Sequence, residues 1–280
     1  MEPWLIFGIL GYLAYAISTS LDKVFLNHKY SPLGINLYKM LFNGLILLLI
    51  GSIFFSFHIT TRLLFFSLIL GSIYALASIL YYYSLKVTDA TVFVSHYQAL
   101  SILFSFLGTL IIFSEPASAL NFTGLALIIL GIYLLLLKGT SSIPKIDHGF
   151  LYIILSALVF LAYALLSKRF LFDTTPIELA TLMYLASAIF IAIYIALKKR
   201  RKAFSLKHAK IAISSVFGAL GTFAIFFALT KGYASRVFAI AGISSAGVFL
   251  IAAIFLKEKS SWKRLLGTLT IILGIYLVAM

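Results

Sequence analysis

Long apolar runs separated by short polar corners set the rhythm of this chain from end to end. A run of about 18 or more apolar residues is long enough to cross a bilayer as a helix. Ten such helices are predicted, over roughly residues 4–26, 33–55, 62–86, 90–113, 120–138, 149–171, 177–197, 209–231, 234–256 and 263–280. The corners carry signals of their own. His28-Lys29-Tyr30-Ser31-Pro32 ends the first run, since Pro32 restricts helix continuation. Ser114-Glu115-Pro116 separates the fourth from the fifth, the polar stretch from Lys138 to Lys145 divides the middle of the chain, and Asp173-Thr174-Thr175-Pro176 caps the seventh. Lys198 to Lys210 is a strongly basic corner, and the shortest corners fall at 87–89 and 232–233. The runs do not alternate with period two, which argues against a transmembrane barrel.

Composition agrees. Of 280 residues, 62% are hydrophobic and 11% charged, with a mean hydropathy of +1.11. A water-soluble domain carries about 25% charged residues, and a disordered chain needs low hydrophobicity. Both classes are excluded, and the fold class is all-α integral membrane. With no cysteine, no disulfide framework, thiolate metal site or cysteine nucleophile is available. The first apolar run starts at Trp4 without a positively charged segment before it, so it reads as a retained helix rather than a secretory signal.

The chain also repeats itself. Ile128-Ile129-Leu130-Gly131-Ile132-Tyr133-Leu134 recurs as Ile271-Ile272-Leu273-Gly274-Ile275-Tyr276-Leu277, with Gly124 and Gly267 seven residues before Gly131 and Gly274. Lys23-Val24-Phe25-Leu26 echoes Lys168-Arg169-Phe170-Leu171, Ser31-Pro32 echoes Thr175-Pro176, and Glu115 echoes Glu258. The pairs lie 143 to 145 residues apart and in the same order. The division that follows is a first repeat over 1–138, a linker over 139–148 and a second repeat over 149–280. Five helices per half is an odd number, so the second half enters the membrane from the opposite side. That is the inverted-topology plan of secondary transporters.

Two five-helix halves, a Phe-Ser-Glu-Pro or Leu-Lys-Glu-Lys corner after the fourth helix, and a Gly-Ile-Tyr terminal helix resemble the drug/metabolite transporter superfamily, specifically its two-repeat EamA-type members. The resemblance covers the whole chain. The family's corner motif is usually a Gly-Glu pair; Ser114 and Lys257 stand here in place of its glycine, so the glutamates alone carry over. The resemblance implies a ten-helix carrier of small metabolites, with helices one, three and four of each half around a cavity, and it fixes no substrate.

Net charge is +14. In this context it reads as topology rather than nucleic-acid binding. Call the N-terminal side of the membrane side one. Its corners hold 5 basic residues and those of side two hold 16, with Lys39 left aside as intramembrane. The positive-inside rule then puts side two, including 198–210, in the cytoplasm and both termini outside. The resemblance implies termini inside, and the charge count is preferred. The basic corner itself reads as an orienting segment that touches anionic headgroups.

Polar side chains inside lipid are costly and should face the bundle interior or a wet cavity. Steps of three and four put Tyr12, Tyr15, Thr19 and Asp22 on one face of the first helix. Ser67, Gly71, Tyr74, Ser78 and Tyr81 do the same on the third, and Thr91, Ser95, Gln98, Ser105 and Thr109 on the fourth. The sixth offers Ser156, Tyr163 and Ser167; the eighth and ninth offer Thr222, Ser244 and Ser245. The fifth and tenth have almost no polar atoms, and glycines at seven-residue spacing make them packing helices at the periphery. The substrate-binding set expected from these stripes is Tyr15, Thr19, Asp22, Lys39, Tyr74, Ser78, Tyr81, His96, Gln98, Tyr163, Thr222 and Ser245. Packing competes with binding as the reason for the serines and glycines.

Two ionisable groups lie inside, Lys39 and His96, each about seven residues into its helix from the same side. His96 reads either as a packed neutral histidine or as a proton-linked switch. Lys39 reads either as a snorkelling lysine or as a substrate-anion contact held by Asp22 while the site is empty. The carboxylates fall at helix ends, so proton–cation antiport through a first-helix glutamate is not expected. No His-Glu-x-x-His, phosphate-binding Gly-rich loop or nucleophile elbow occurs. The chain is not read as an enzyme, and neither cofactor nor metal is expected. The leading reading is a carrier for a small polar or zwitterionic, amino-acid-like metabolite, with membrane lipid around it and protons as a candidate coupling ion. No nucleic-acid partner is expected, and monomer and homodimer are equally open. The alternative is a non-transport membrane protein, an accessory subunit or a handler of lipid-linked substrates.

Overall fold

Proline opens three of the helices, and a hydroxyl caps two of those. Ser31 and Thr175 accept from the backbone N–H groups of Gly34 at 3.0 Å and Glu178 at 3.4 Å, with Pro32 and Pro176 as first helical residues. The echoed Ser-Pro and Thr-Pro pairs of the sequence are thus equivalent helix starts. The computed structural model describes residues 2–28, 30–87, 90–136, 148–255 and 262–280. Lys29, Asp89, Lys138, the 139–147 stretch with Lys145, and Lys257, Glu258 and Lys259 lie outside the described residues, as do the side chains of Thr91, Ser95, Arg201 and Arg264.

The helices are α1 (Pro3–Asn27), α2 (Pro32–Phe54), α3 (Thr61–Val87), α4 (Ala90–Phe113), α5 (Ala119–Leu136), α6 (His148–Phe170), α7 (Pro176–Leu197), α8 (Ala212–Lys231), α9 (Ala234–Ala239), α10 (Gly242–Phe255) and α11 (Trp262–Ala279). Among the described residues, eight stretches are long and apolar enough to cross a membrane, and Ala119–Leu134 and Leu265–Ala279 are shorter apolar helices. Large apolar side chains such as Leu49, Ile53, Ile111 and Ile189 stay exposed on the outer faces, as lipid contact requires.

Two expectations change. The continuous ninth helix expected over 234–256 is broken between α9 and α10. The short α9 is held from outside its own segment, by Glu115, whose two carboxylate oxygens accept from Ala234 N at 2.7 Å and Ser235 N at 2.8 Å. Beyond the break Gly242 lies so close to α5 that a Cβ there would stand 2.6 Å from Ile128 Cγ2. The basic corner is also more ordered than a loop. It forms 3₁₀ turns at Arg201–Phe204 and Leu206–Ile211, and His208 docks onto the start of α2, where its Nε2 accepts from Ser31 N at 3.3 Å.

The α8–α9 corner is covered from three other elements. Lys168 Nζ on α6 donates to Leu229 O at 2.7 Å and Gly232 O at 3.0 Å, closing the end of α8, while Glu115 closes the start of α9. Trp4 packs against Gly232. Lys23, the counterpart of Lys168, donates to Leu85 O at 2.8 Å at the end of α3. Cations at helix C-termini are favourable, because the last carbonyls lack intrahelical partners.

Packing between the halves is reciprocal. α1 lies on α8 and α10, and α6 lies on α3 and α4; α2 pairs with α7 and α5 with α11. The α5–α11 seam uses the repeated glycines, since a Cβ on Gly131 or Gly124 would meet Gly267 O or Gly274 O at 2.6 Å. Asn121 adds a buried polar contact there, donating to Val278 O at 3.0 Å, where the sequence led us to expect almost none.

The corner motif has a conformational reason. Ser114 has φ 50°, the left-handed region that glycine enters at no steric cost. Ser114→Gly should therefore stabilise the protein by about 0.5–1 kcal/mol, read as a small rise in the thermal unfolding temperature in detergent.

Candidate functional site

The reciprocal packing leaves a cavity of about 120 Å³ between α1, α2, α3, α4, α6, α8 and the α9–α10 break. Ten of the twelve side chains singled out from sequence lie on its wall: Tyr15, Thr19, Asp22, Lys39, Tyr74, Ser78, Tyr81, Gln98, Tyr163 and Thr222. His96 and Ser245 do not. Each is one residue from a side chain that does, Tyr97 and Ser244, and one residue turns a helix by about 100°. The wall also holds Tyr82, Asn43, Tyr97 and Phe160, which were not singled out. Three of these had a signal in the spacing: Tyr82 follows Ser78 by four, Asn43 follows Lys39 by four, and Tyr97, Ser101 and Ser105 are four apart.

One end of the cavity is charged. Lys39 Nζ pairs with Asp22 Oδ2 and donates to Ser18 Oγ at 2.8 Å. Tyr82 OH donates to the same carboxylate oxygen at 2.7 Å, and the Ser214 hydroxyl reaches Oδ1. Ser18 Oγ in turn donates to Ser214 O at 2.9 Å. Lys39 is 6% exposed and Asp22 1%. The lysine therefore does not snorkel, and the carboxylate expected near the end of its helix is enclosed five residues before that end. The network joins α1, α2, α3 and α8. α1 and α8 approach closely enough for it because Gly11 and Gly221 face each other; a Cβ on Gly11 would meet Gly221 O at 2.9 Å.

The middle of the cavity is lined by hydroxyls and rings. Tyr15 OH and Tyr184 OH, 3.3 Å apart, both bond to Thr222 Oγ1. Tyr81 OH meets Thr19 Oγ1 at 3.0 Å. Tyr81, Tyr97 and Phe160 follow one another at ring separations of 5.3 and 6.0 Å. The other end is apolar, with Phe160, Phe226, Phe238, Ile225 and Leu229, all from the second half. Ser105 is fully buried on the wall, and its hydroxyl has no partner among the described residues. A buried hydroxyl left so is costly, and a polar guest would satisfy it. Asp22 and Tyr15 lie seven residues apart, so the charged end and the middle are separated by about 10 Å. No group of His, Asp and Glu able to hold a metal ion occurs among the described residues.

Helices long and apolar enough to span a membrane, packed around a mixed polar and aromatic cavity, are the architecture of a multi-pass membrane protein. The model of the EamA-like transporter family matches residues 2–137 and again 147–280. The chain belongs to that family, as a two-repeat member of the drug/metabolite transporter superfamily. A solved structure titled only "Crystal structure of protein" is similar over 98% of both chains, with a TM-score of 0.71 at 14% identity, and shares the fold. Comparison with curated proteins finds no match.

The charged network makes a stability prediction. Removing one member of a buried pair leaves an uncompensated charge, at a cost of about 3–5 kcal/mol. Asp22→Asn and Lys39→Met should each lower the unfolding temperature sharply, and the double variant should recover most of the loss, measured by thermal unfolding of the purified protein.

Proposed function

We propose that the protein is a secondary transporter for a small zwitterionic or anionic, amino-acid-like metabolite, working by alternating access. In this reading ten crossings form two five-helix repeats of opposite topology, residues 1–138 and 149–280 with the linker between them. The reciprocal packing of the halves supports it. The single observation that carries the substrate class is the buried Lys39–Asp22 pair on the wall of a cavity between the halves. A cation kept out of water, with a partner that another carboxylate can replace, is a binding site for that carboxylate. By the measure in which one water needs about 10–15 Å³, a cavity of about 120 Å³ suits a guest of roughly eight to twelve non-hydrogen atoms.

The mechanism follows from who holds whom. The substrate carboxylate takes the Lys39 ammonium from Asp22, and Asp22 keeps Tyr82 and Ser214. Lys39 belongs to α2 and Asp22 to α1, so the exchange loosens a contact between these two helices of the first half at the moment the site fills, while Ser214 of α8 stays on Asp22. Uniport and proton coupling are two modes open to the same site. The chain is a carrier and not an enzyme in this reading.

Flux into liposomes across a panel of amino and organic acids tests it. Lys39→Met should abolish flux, and the Asp22→Asn, Lys39→Met double variant should unfold near the wild-type temperature without regaining flux. Transport by the double variant would remove Lys39 from substrate contact, and binding without flux for every soluble metabolite would favour a handler of lipid-linked substrates.

Orientation is a separate test. Reporter fusions in 198–210 should read cytoplasmic, and a fusion after Met280 should read external, as the charge bias requires. The reverse pattern would put both termini inside.

A further inference from the structure

A second polar recess lies away from the central cavity, where α2 begins and α3 and α7 finish. Leu33, Tyr83, Tyr194, Lys198 and Arg200 line it. Its shape comes from the way α7 ends. Lys199 N donates to Ala196 O and Arg200 N to Ile195 O, both at 3.0 Å, and Lys199 takes φ 52°. This is a Schellman closure with a lysine at the position that usually falls to glycine. The left-handed residue reverses the chain and brings its two basic neighbours to one recess.

Among the described residues no carboxylate pairs with this end. Every ion pair among the described residues uses Asp22 or Asp173. The other described carboxylates are engaged elsewhere, Glu2 with Trp4, Glu115 with α9, and Glu178 with His58 N and Thr175. Among the described residues, Lys198 and Arg200 thus face a recess with two tyrosines and no acid. Beside it the outer face of α7 is an apolar track: Ile189, Ile193 and Leu197, one turn apart, are 58%, 49% and 76% exposed. Guanidinium and ammonium groups suit phosphate oxygens, tyrosine sits well at headgroup level, and basic pockets between helix ends bind lipid head groups.

We propose that this recess seats an anionic phospholipid. The phosphodiester lies between Lys198 and Arg200, the Tyr83 and Tyr194 hydroxyls donate to it, and an acyl chain runs along Ile189, Ile193 and Leu197. The track is what selects a lipid over a soluble phosphate. The seat ties the end of α7 to α2 and α3 through a component of the bilayer, and it is independent of which solute the central cavity carries.

Native mass spectrometry of the full chain, titrated with phosphatidylglycerol, phosphatidylcholine or glycerol 3-phosphate, tests it. Phosphatidylglycerol should be retained at least tenfold better than either of the others. Lys198→Gln with Arg200→Gln should reduce retention at least tenfold, and Ile193→Ser several-fold. Lys207→Gln with Lys210→Gln, the same change of net charge, should alter it less than twofold. If the glutamine pair at 198 and 200 fails to fold, Tyr83→Phe with Tyr194→Phe carries the test, with a several-fold loss expected. Equal losses from the two lysine-bearing pairs would reduce the effect to diffuse charge. Equal retention of phosphatidylcholine, or effective competition by glycerol 3-phosphate, would equally overturn the seat.

Discussion

An ammonium group cannot stand alone inside a helical bundle, and Lys39 is buried about seven residues into its helix. Its burial is tolerable only while Asp22 and Ser18 face it, and Asp22 is tolerable only while Tyr82 and Ser214 face it in turn. Four helices are therefore held in register by one pair of charges. The close crossing of α1 and α8 at Gly11 and Gly221 exists to the same end, since a side chain at either place would hold Ser214 away from Asp22. Much of what surrounds the cavity, including the tyrosine hydroxyls that bond one another rather than the pair, is arrangement around a charge that has to be kept company.

The helices were legible because the forces that make them are local. Apolar runs of membrane length, proline at helix starts and hydroxyls before those prolines recur in both halves, and the structure uses them as helix starts. The break between α9 and α10 was not legible, because its causes are distant in sequence. Glu115 closes α9 from 119 residues away, and Ile128 crowds Gly242 from another helix. The same distance hid the ordering of the basic corner, which depends on His208 finding the start of α2. Ser114 shows the reverse case. Its departure from the family's glycine was visible in the sequence, but the left-handed backbone that explains the glycine appears only in three dimensions.

The cavity was read unevenly for a related reason. Hydroxyl and amide groups in an apolar helix announce the face that avoids lipid, and stripes traced through them brought ten side chains to one wall. His96 stands out in the sequence for its ionisable ring and Ser245 for its hydroxyl, and each lies one residue, about 100° of helical rotation, from a side chain on the wall. The apolar end left no such mark. Phe160, Phe226 and Phe238 look in sequence like any lipid-facing aromatic residue, and nothing local distinguishes a ring that lines a pocket from one that faces an acyl chain.

The two halves have divided this cavity unequally. In the register of the duplication Asp22 corresponds to Ser167, Lys39 to Met183 and Tyr82 to Phe226, so the wall's charged side chains come from the first half alone. Two copies of the first half would confront each other with four buried charges; two copies of the second would have none to offer a solute. The two repeats are therefore no longer interchangeable: the site needs one of each, and a single polypeptide guarantees that pairing.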